Sequence, residues 1–125
     1  MKGPGRDRRR NERSGRTAES LAALLLRLKF YRLLERRYKT PVGEIDLIAR
    51  RGNTIAFVEV KRRPDANAGL AAVTPTAQAR LLRAAEAWLA RHPEATDCTL
   101  RFDVIVVSPR RLPLHLRAAF DASSR

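Results

Sequence analysis

Three charged residues interrupt two otherwise apolar stretches: Asp46 in GEIDLIA (Gly43–Ala49), and Glu59 and Lys61 in FVEVK (Phe57–Lys61). Both stretches read as strands, and Gly52-Asn53 between them is a two-residue hairpin signal. With that loop, Arg51 faces Thr54, Ile48 faces Phe57, Asp46 faces Glu59 and Glu44 faces Lys61. The other face sets Ile45, Leu47 and Ala49 against Val60, Val58 and Ala56, and is expected to be core. A one-residue slip would set Asp46 against Val58 and bury the acids, so burial selects the register.

Carboxylates on directly opposed residues repel, because the opposed Cβ atoms are only about 4.5–5.5 Å apart. A hard divalent cation relieves that repulsion. Mg²⁺ takes oxygen ligands and is commonly held by one or two carboxylates plus substrate phosphates. Lys61 lies two residues beyond Glu59 and shares its face at about 6.5 Å. From there its ammonium can reach a phosphate oxygen or an attacking water. The set therefore suits metal-assisted phosphodiester hydrolysis. A plainer reading fits the same residues: a solvated strand face on which Glu44 pairs with Lys61, or Lys61 neutralises both acids. The hairpin alone leaves both open.

The elements that must position this hairpin follow from the flanking pattern. Met1–Ser14 is basic, rich in Gly and Arg, and lacks apolar periodicity. It reads as a disordered arm, either contacting phosphates or simply solvated. From Gly15 to Lys29 the spacing of Leu21, Leu25 and Leu28, widened by Leu24, predicts an amphipathic helix. Glu19 falls in its first turns, where an acid complements the helix dipole. Phe30–Lys39 fits either a prolonged helix or a first strand, and a strand makes the better sheet. Arg62–Ala72 reads as a loop. Thr74-Pro75 starts a second helix, which buries Leu81, Leu82, Ala85, Trp88 and Leu89 and stops near Arg91 before Pro93. Leu100–Val107 is β-branched-rich and reads as a buried strand. The tail from Ser108 is expected along an edge. The order is α-β-β-β-α-β, with the last helix as a crossover between parallel strands.

A chain of 125 residues, 44% of them hydrophobic, supports one domain with a real core. Its 26 Lys and Arg against 13 Asp and Glu leave a net charge of +13. That excess favours a polyanionic partner, nucleic acid before an anionic membrane, although an arginine-rich genome gives a similar balance. The single Cys98 excludes an internal disulfide and points to a reducing cytoplasm. Leu21–Leu26 is too short to span a bilayer and makes a poor signal peptide. His92 before Pro93 suits a helix end. His115 lies alone in the tail, Cys98 reads as inert, and Asp103 is expected to pair with an arginine.

Taken together, GEIDLIA, FVEVK, the upstream Gly15-x-x-Ala18-Glu19-x-x-Ala22 and the downstream RFDV (Arg101–Val104) resemble the bacterial YraN family, over about Gly15–Val107. That family is largely uncharacterised and predicted to be endonuclease-like. It is similar to archaeal Holliday-junction resolvases and to the restriction-endonuclease-like fold, whose core has the order above: an α/β mixed sheet flanked by helices. The resemblance implies Asp46 and Glu59 as metal ligands, completed by the Val60 backbone carbonyl. It also implies Lys61 as the catalytic lysine and Glu19 as a helix acid approaching the metal directly or through water. Gln78 matches a polar position on the second helix. One departure stands out. Ala77 occupies a place where the family pattern has lysine, which leaves Arg80 or Arg83 to supply a phosphate contact.

The leading expectation is therefore a Mg²⁺- or Mn²⁺-dependent endodeoxyribonuclease for structured or branched DNA. Arg36, Arg37, Arg62, Arg63 and Arg80 would grip the nucleic acid. The alternative is a non-catalytic nucleic-acid-binding or ribosome-associated module on the same fold. An adaptor for anionic membranes fits less well, because no basic amphipathic helix stands out. Resolvases of similar fold act as dimers, so the resemblance leaves a homodimer open, with no dimer surface legible in the sequence.

Overall fold

The computed structural model describes residues 4–121, with side chains from Arg16 onward. Helix α1 (Pro4–Leu28) leads into three antiparallel strands, β1 (Arg32–Thr40), β2 (Gly43–Arg51) and β3 (Thr54–Arg62). A short α2 (Ala66–Ala71) and the longer α3 (Pro75–Ala90) carry the chain to β4 (Thr99–Val107), which lies parallel to β3. β5 (Leu114–Phe120) then pairs antiparallel to β4 and closes a sheet of order β1-β2-β3-β4-β5. This is the expected α-β-β-β-α-β order in a mixed sheet, compatible with a nuclease-like core. The tail does occupy an edge, as the fifth strand.

Local chemistry explains most boundaries. Gly52 adopts φ 60° in the hairpin loop, a conformation that costs glycine little. Thr74 accepts a hydrogen bond from the Ala77 amide at 3.2 Å with Pro75 in the first turn, the N-cap arrangement expected. Phe30–Lys39 resolves as a strand from Arg32 onward. Two boundaries differ from expectation. Arg62–Ala72 contains α2, whose N-cap Asp65 accepts from the Ala68 amide at 2.8 Å. Helix α1 starts at Pro4 rather than near Gly15, in keeping with the helix propensity of Arg and Glu. Of the expected arm, Met1–Gly3 and the side chains before Arg16 lie outside the described residues.

Helix α1 covers one face of the sheet and α3 the other. The α1 side gathers Ala18, Ala22, Ala23 and Leu26 over Leu47, Ala49, Ala56 and Val58. On the α3 side, Leu81, Ala84, Ala85 and Trp88 pack over Ile48, Ile55, Phe57 and Val104. The expected leucine stripe is thus corrected. Leu21, Leu24 and Leu28 are exposed, Leu25 is half-buried, and the alanines face the sheet. Ala18, Ala22 and Ala23 let this part of the helix approach the sheet closely around Ala49 and Ala56, and Leu26 packs beside them. Among the described residues, no helix is long and apolar enough to cross a membrane.

Candidate metal and nucleic-acid site

Asp46 and Glu59 meet where the β2–β3 ladder ends. The expected register holds from Arg51–Thr54 to Leu47–Val58. Beyond it the Val60 amide donates to Asp46 Oδ2 at 2.8 Å, and Glu59 shares a hydrogen bond with Asp46. The two acids therefore face one another through their side chains. Neither their pairing nor that of Glu44 with Lys61 continues the ladder.

A local rotation of β2 produces this. Residues two apart in a regular strand share a face, yet Ile45 packs on the α3 side and Leu47 on the α1 side. The single apolar face expected for Ile45, Leu47 and Ala49 is therefore broken at Asp46. Across the gap on β1, Arg37 adopts φ 50°, between the pairs Arg36–Leu47 and Tyr38–Ile45. Left-handed backbone at a bulky residue is uncommon and persists only where the surroundings enforce it.

Electrostatics at the pair follow from burial. Desolvation is the main cause raising the Glu59 carboxyl to about 9. The hydrogen bond and charge of Asp46 push it further, Lys61 opposes them, and Glu44 adds a smaller push. Burial and the neighbouring Asp46 carboxylate thus favour a proton on Glu59. An oxygen-ligated divalent cation can take its place, so the donor set fits Mg²⁺ or Mn²⁺. Asp46 and Glu59 would hold such an ion, with the carbonyl of Val60 beside them.

Glu59 opens into a cleft of about 600 Å³ walled by Thr40, Gly43, Glu44, Ala77, Arg80 and Leu81. Gly43 lets α3 press against β2: a Cβ there would stand 2.6 Å from the Arg80 carbonyl oxygen. Arg80 accordingly lines the cleft. Ala77 lines it too.

Glu19 is engaged by two arginines of β1. It is 7% exposed and is clamped by Arg37 Nε at 3.0 Å and Arg36 Nε at 3.3 Å. Among the described residues, no group of three or more His, Cys, Asp or Glu is placed to hold a metal. Arg36 and Arg37, expected as phosphate contacts, remain half-exposed while satisfying Glu19. Gln78 donates to the Val73 carbonyl at 3.0 Å, beneath the start of α3. Arg62 and Arg63 are exposed at the end of β3.

A second polar cluster went unread in the sequence. Asp103 pairs with an arginine, as expected: Arg101 Nε and Nη2 both reach it at 2.8 Å. His115, however, is not alone. Its Nε2 lies 2.7 Å from Asp103 Oδ2 and its Nδ1 contacts Lys29 Nζ. The alternation in RFDV signalled the Arg101–Asp103 pair, but nothing local linked either residue to His115.

A mixed α/β sheet thus brings a half-buried carboxylate pair to the edge of a cleft lined by Glu44 and Arg80. The chain matches the model of the uncharacterised protein family UPF0102 over residues 18–107, and it belongs to that family. A UPF0102 protein of Bradyrhizobium diazoefficiens is 54% identical over 112 residues, covering 90% of this chain and 84% of the relative. One from Methylorubrum extorquens is 54% identical over 118 residues, covering 94% and 92%. One from Rhodopseudomonas palustris strain HaA2 is 52% identical over 120 residues, covering 96% and 94%.

Proposed function

We propose that this protein is a Mg²⁺- or Mn²⁺-dependent endonuclease that hydrolyses phosphodiester bonds in structured or branched DNA. The observation that carries this reading is the Asp46–Glu59 contact with Lys61 close enough to act on Glu59, beside a cleft lined by Arg80. A bound divalent ion would supply Lewis acidity and lower the pKa of a coordinated water. The protein's own groups do the rest. Asp46, oriented by the Val60 amide, and Glu59 would hold the cation through their oxygens. Lys61 stabilises charge gathering on the scissile phosphate, and Arg80 orients that phosphate from the α3 wall. Arg62 and Arg63 hold the flanking backbone, and the basic N-terminal segment adds contacts without sequence preference. Glu19 supports the site by fixing Arg36 and Arg37 rather than by ligating. Two-fold symmetric junctions would suit a homodimer, and the reducing cytoplasm suits the lone cysteine.

A non-catalytic nucleic-acid-binding or ribosome-associated module is the second reading, favoured by the engagement of Glu19 with Arg36 and Arg37. The two separate in one experiment. Wild type and Lys61→Ala are incubated with labelled four-way junction, flap, duplex and single-stranded DNA under Mg²⁺ and Mn²⁺. Metal-dependent cleavage lost in Lys61→Ala supports the nuclease. Binding without cleavage by the wild type would transfer the site to the second reading.

A further inference from the structure

Elsewhere on the sheet, Lys29 lies within reach of the charges of Arg51, Arg101 and Arg117, beside a carboxylate that is already satisfied. Asp103 is fully buried and accepts from Arg101 Nε and Nη2, His115 Nε2 and, at 3.0 Å, the Ala118 amide. Ala118 reaches it because β5 bulges there, at φ 50°. Arg101 Nη2 also donates to the Tyr31 hydroxyl at 2.6 Å, and the Arg51 guanidinium lies 4.4 Å from the centre of the Tyr31 ring. Lys29 Nζ rests on His115, whose side chain is only 3% exposed. Lys29 is held below the ordinary lysine range, first by desolvation, then by the charges of Arg117, Arg51 and Arg101, with Asp103 alone opposing.

This is a built site with surplus positive charge. Asp103 has spent its acceptor capacity on positioning Arg101 and His115, so it cannot neutralise Lys29, Arg51 and Arg117 as well. Arg117 has no ion-pair partner among the described residues. Arg101, His115 and Arg117 line a shallow cleft of about 670 Å³ at the β5 edge, with Leu70, Leu116 and Ala119 as its apolar wall.

We infer that Lys29, Arg51, Arg101 and Arg117 form a phosphate-binding site for a nucleic-acid backbone, separate from the Asp46–Glu59 pair and positioned by Asp103 and His115. The planar fork of Arg117 suits phosphate oxygens, Arg101 keeps its Nη1 for one more acceptor, and Lys29 supplies a point charge. Binding here needs no divalent ion. The inference rests on nucleic acid being the partner, and stands whether or not the protein cleaves it.

The test measures binding of labelled duplex and single-stranded DNA in EDTA over a range of salt. It compares wild type, Arg51→Ser/Arg117→Ser and a charge-matched control, Arg91→Ser/Arg111→Ser. All four arginines are exposed, so the fold should survive, which thermal melting verifies. The cluster variant is expected to lower the slope of log K against log salt by about two, and the control by less than one. In parallel, inorganic phosphate and a nucleoside monophosphate should shift the His115 ring resonances of the wild type and not of the cluster variant. Equal slopes in the two double variants would overturn the site as a nucleic-acid contact. Phosphate-induced shifts with equal slopes would assign the cleft to a small phosphorylated molecule instead. EDTA removes cleavage from this readout, so failure here leaves the Lys61→Ala experiment independent.

Discussion

The Val60 amide donates to Asp46 Oδ2 across 2.8 Å at the point where β2 and β3 stop pairing as a ladder. One carboxylate thereby satisfies a backbone donor and is aimed at Glu59. Asp46→Ala removes that acceptor and should cost about 1–3 kcal/mol. Asp46→Asn keeps a carbonyl oxygen for Val60 and should cost less, while weakening metal-dependent cleavage as severely as alanine does. Urea unfolding alongside the cleavage assay checks both. Equal destabilisation by the two variants would show that the Val60 hydrogen bond contributes nothing.

Glu59 should make stability fall as pH rises. Its folded-state value, about 9, lies above the ordinary 4.5, so its contribution is full below 4.5 and is lost as pH climbs through 9. In the absence of divalent ions, the unfolding free energy should decline by up to about 1.4 kcal/mol per pH unit inside that window. Glu59→Gln retains an amide to donate to Asp46 and should flatten the decline. Urea midpoints at pH 6 and pH 8.5 suffice. Parallel profiles for wild type and variant would refute the raised value.

Asp103 behaves in the opposite sense. Burial pushes its carboxyl up, but hydrogen bonds from His115, Arg101 and the Ala118 amide outweigh this and hold it at about 2, below its ordinary 3.8. Its contribution, about 2 kcal/mol, is present above 3.8 and is lost as pH falls through 2. Asp103→Asn would leave Arg101 without its counter-charge and should destabilise by about 3–5 kcal/mol at neutral pH. The same variant should lose the acid limb of the stability profile, read by circular dichroism between pH 5 and pH 2.

Gly43→Ala tests how α3 is seated. The added methyl would collide with the Arg80 carbonyl, which is backbone and cannot rotate aside. A loss of about 1–3 kcal/mol is expected, together with weaker DNA binding as Arg80 leaves the cleft wall. An unchanged melting temperature would show that the helix can shift at no cost.

Helix α1 offers a comparison on one element. Leu26 is fully buried, whereas Leu24 is 53% exposed. Leu26→Ala should cost about 2–5 kcal/mol, and Leu24→Ala should stay within about 0.5 kcal/mol of wild type. Thermal melts of the two variants decide which face meets the sheet.

The sequence alone determined what depends on neighbours along the chain. Gly52-Asn53 and the alternation around it set the hairpin register from Arg51 to Leu47, and Thr74-Pro75 set the start of α3. GEIDLIA and FVEVK marked the acids and the lysine, because strand spacing puts residues two apart on one face. Only the tertiary structure decided which face of α1 is buried, since both stripes satisfy helical periodicity and the choice depends on the sheet surface that the helix meets. Only it could assign Glu19 to Arg36 and Arg37, or unite Lys29, Asp103 and His115. Those partners come from separate elements, and no local rule of spacing brings together side chains that meet only once the sheet has formed.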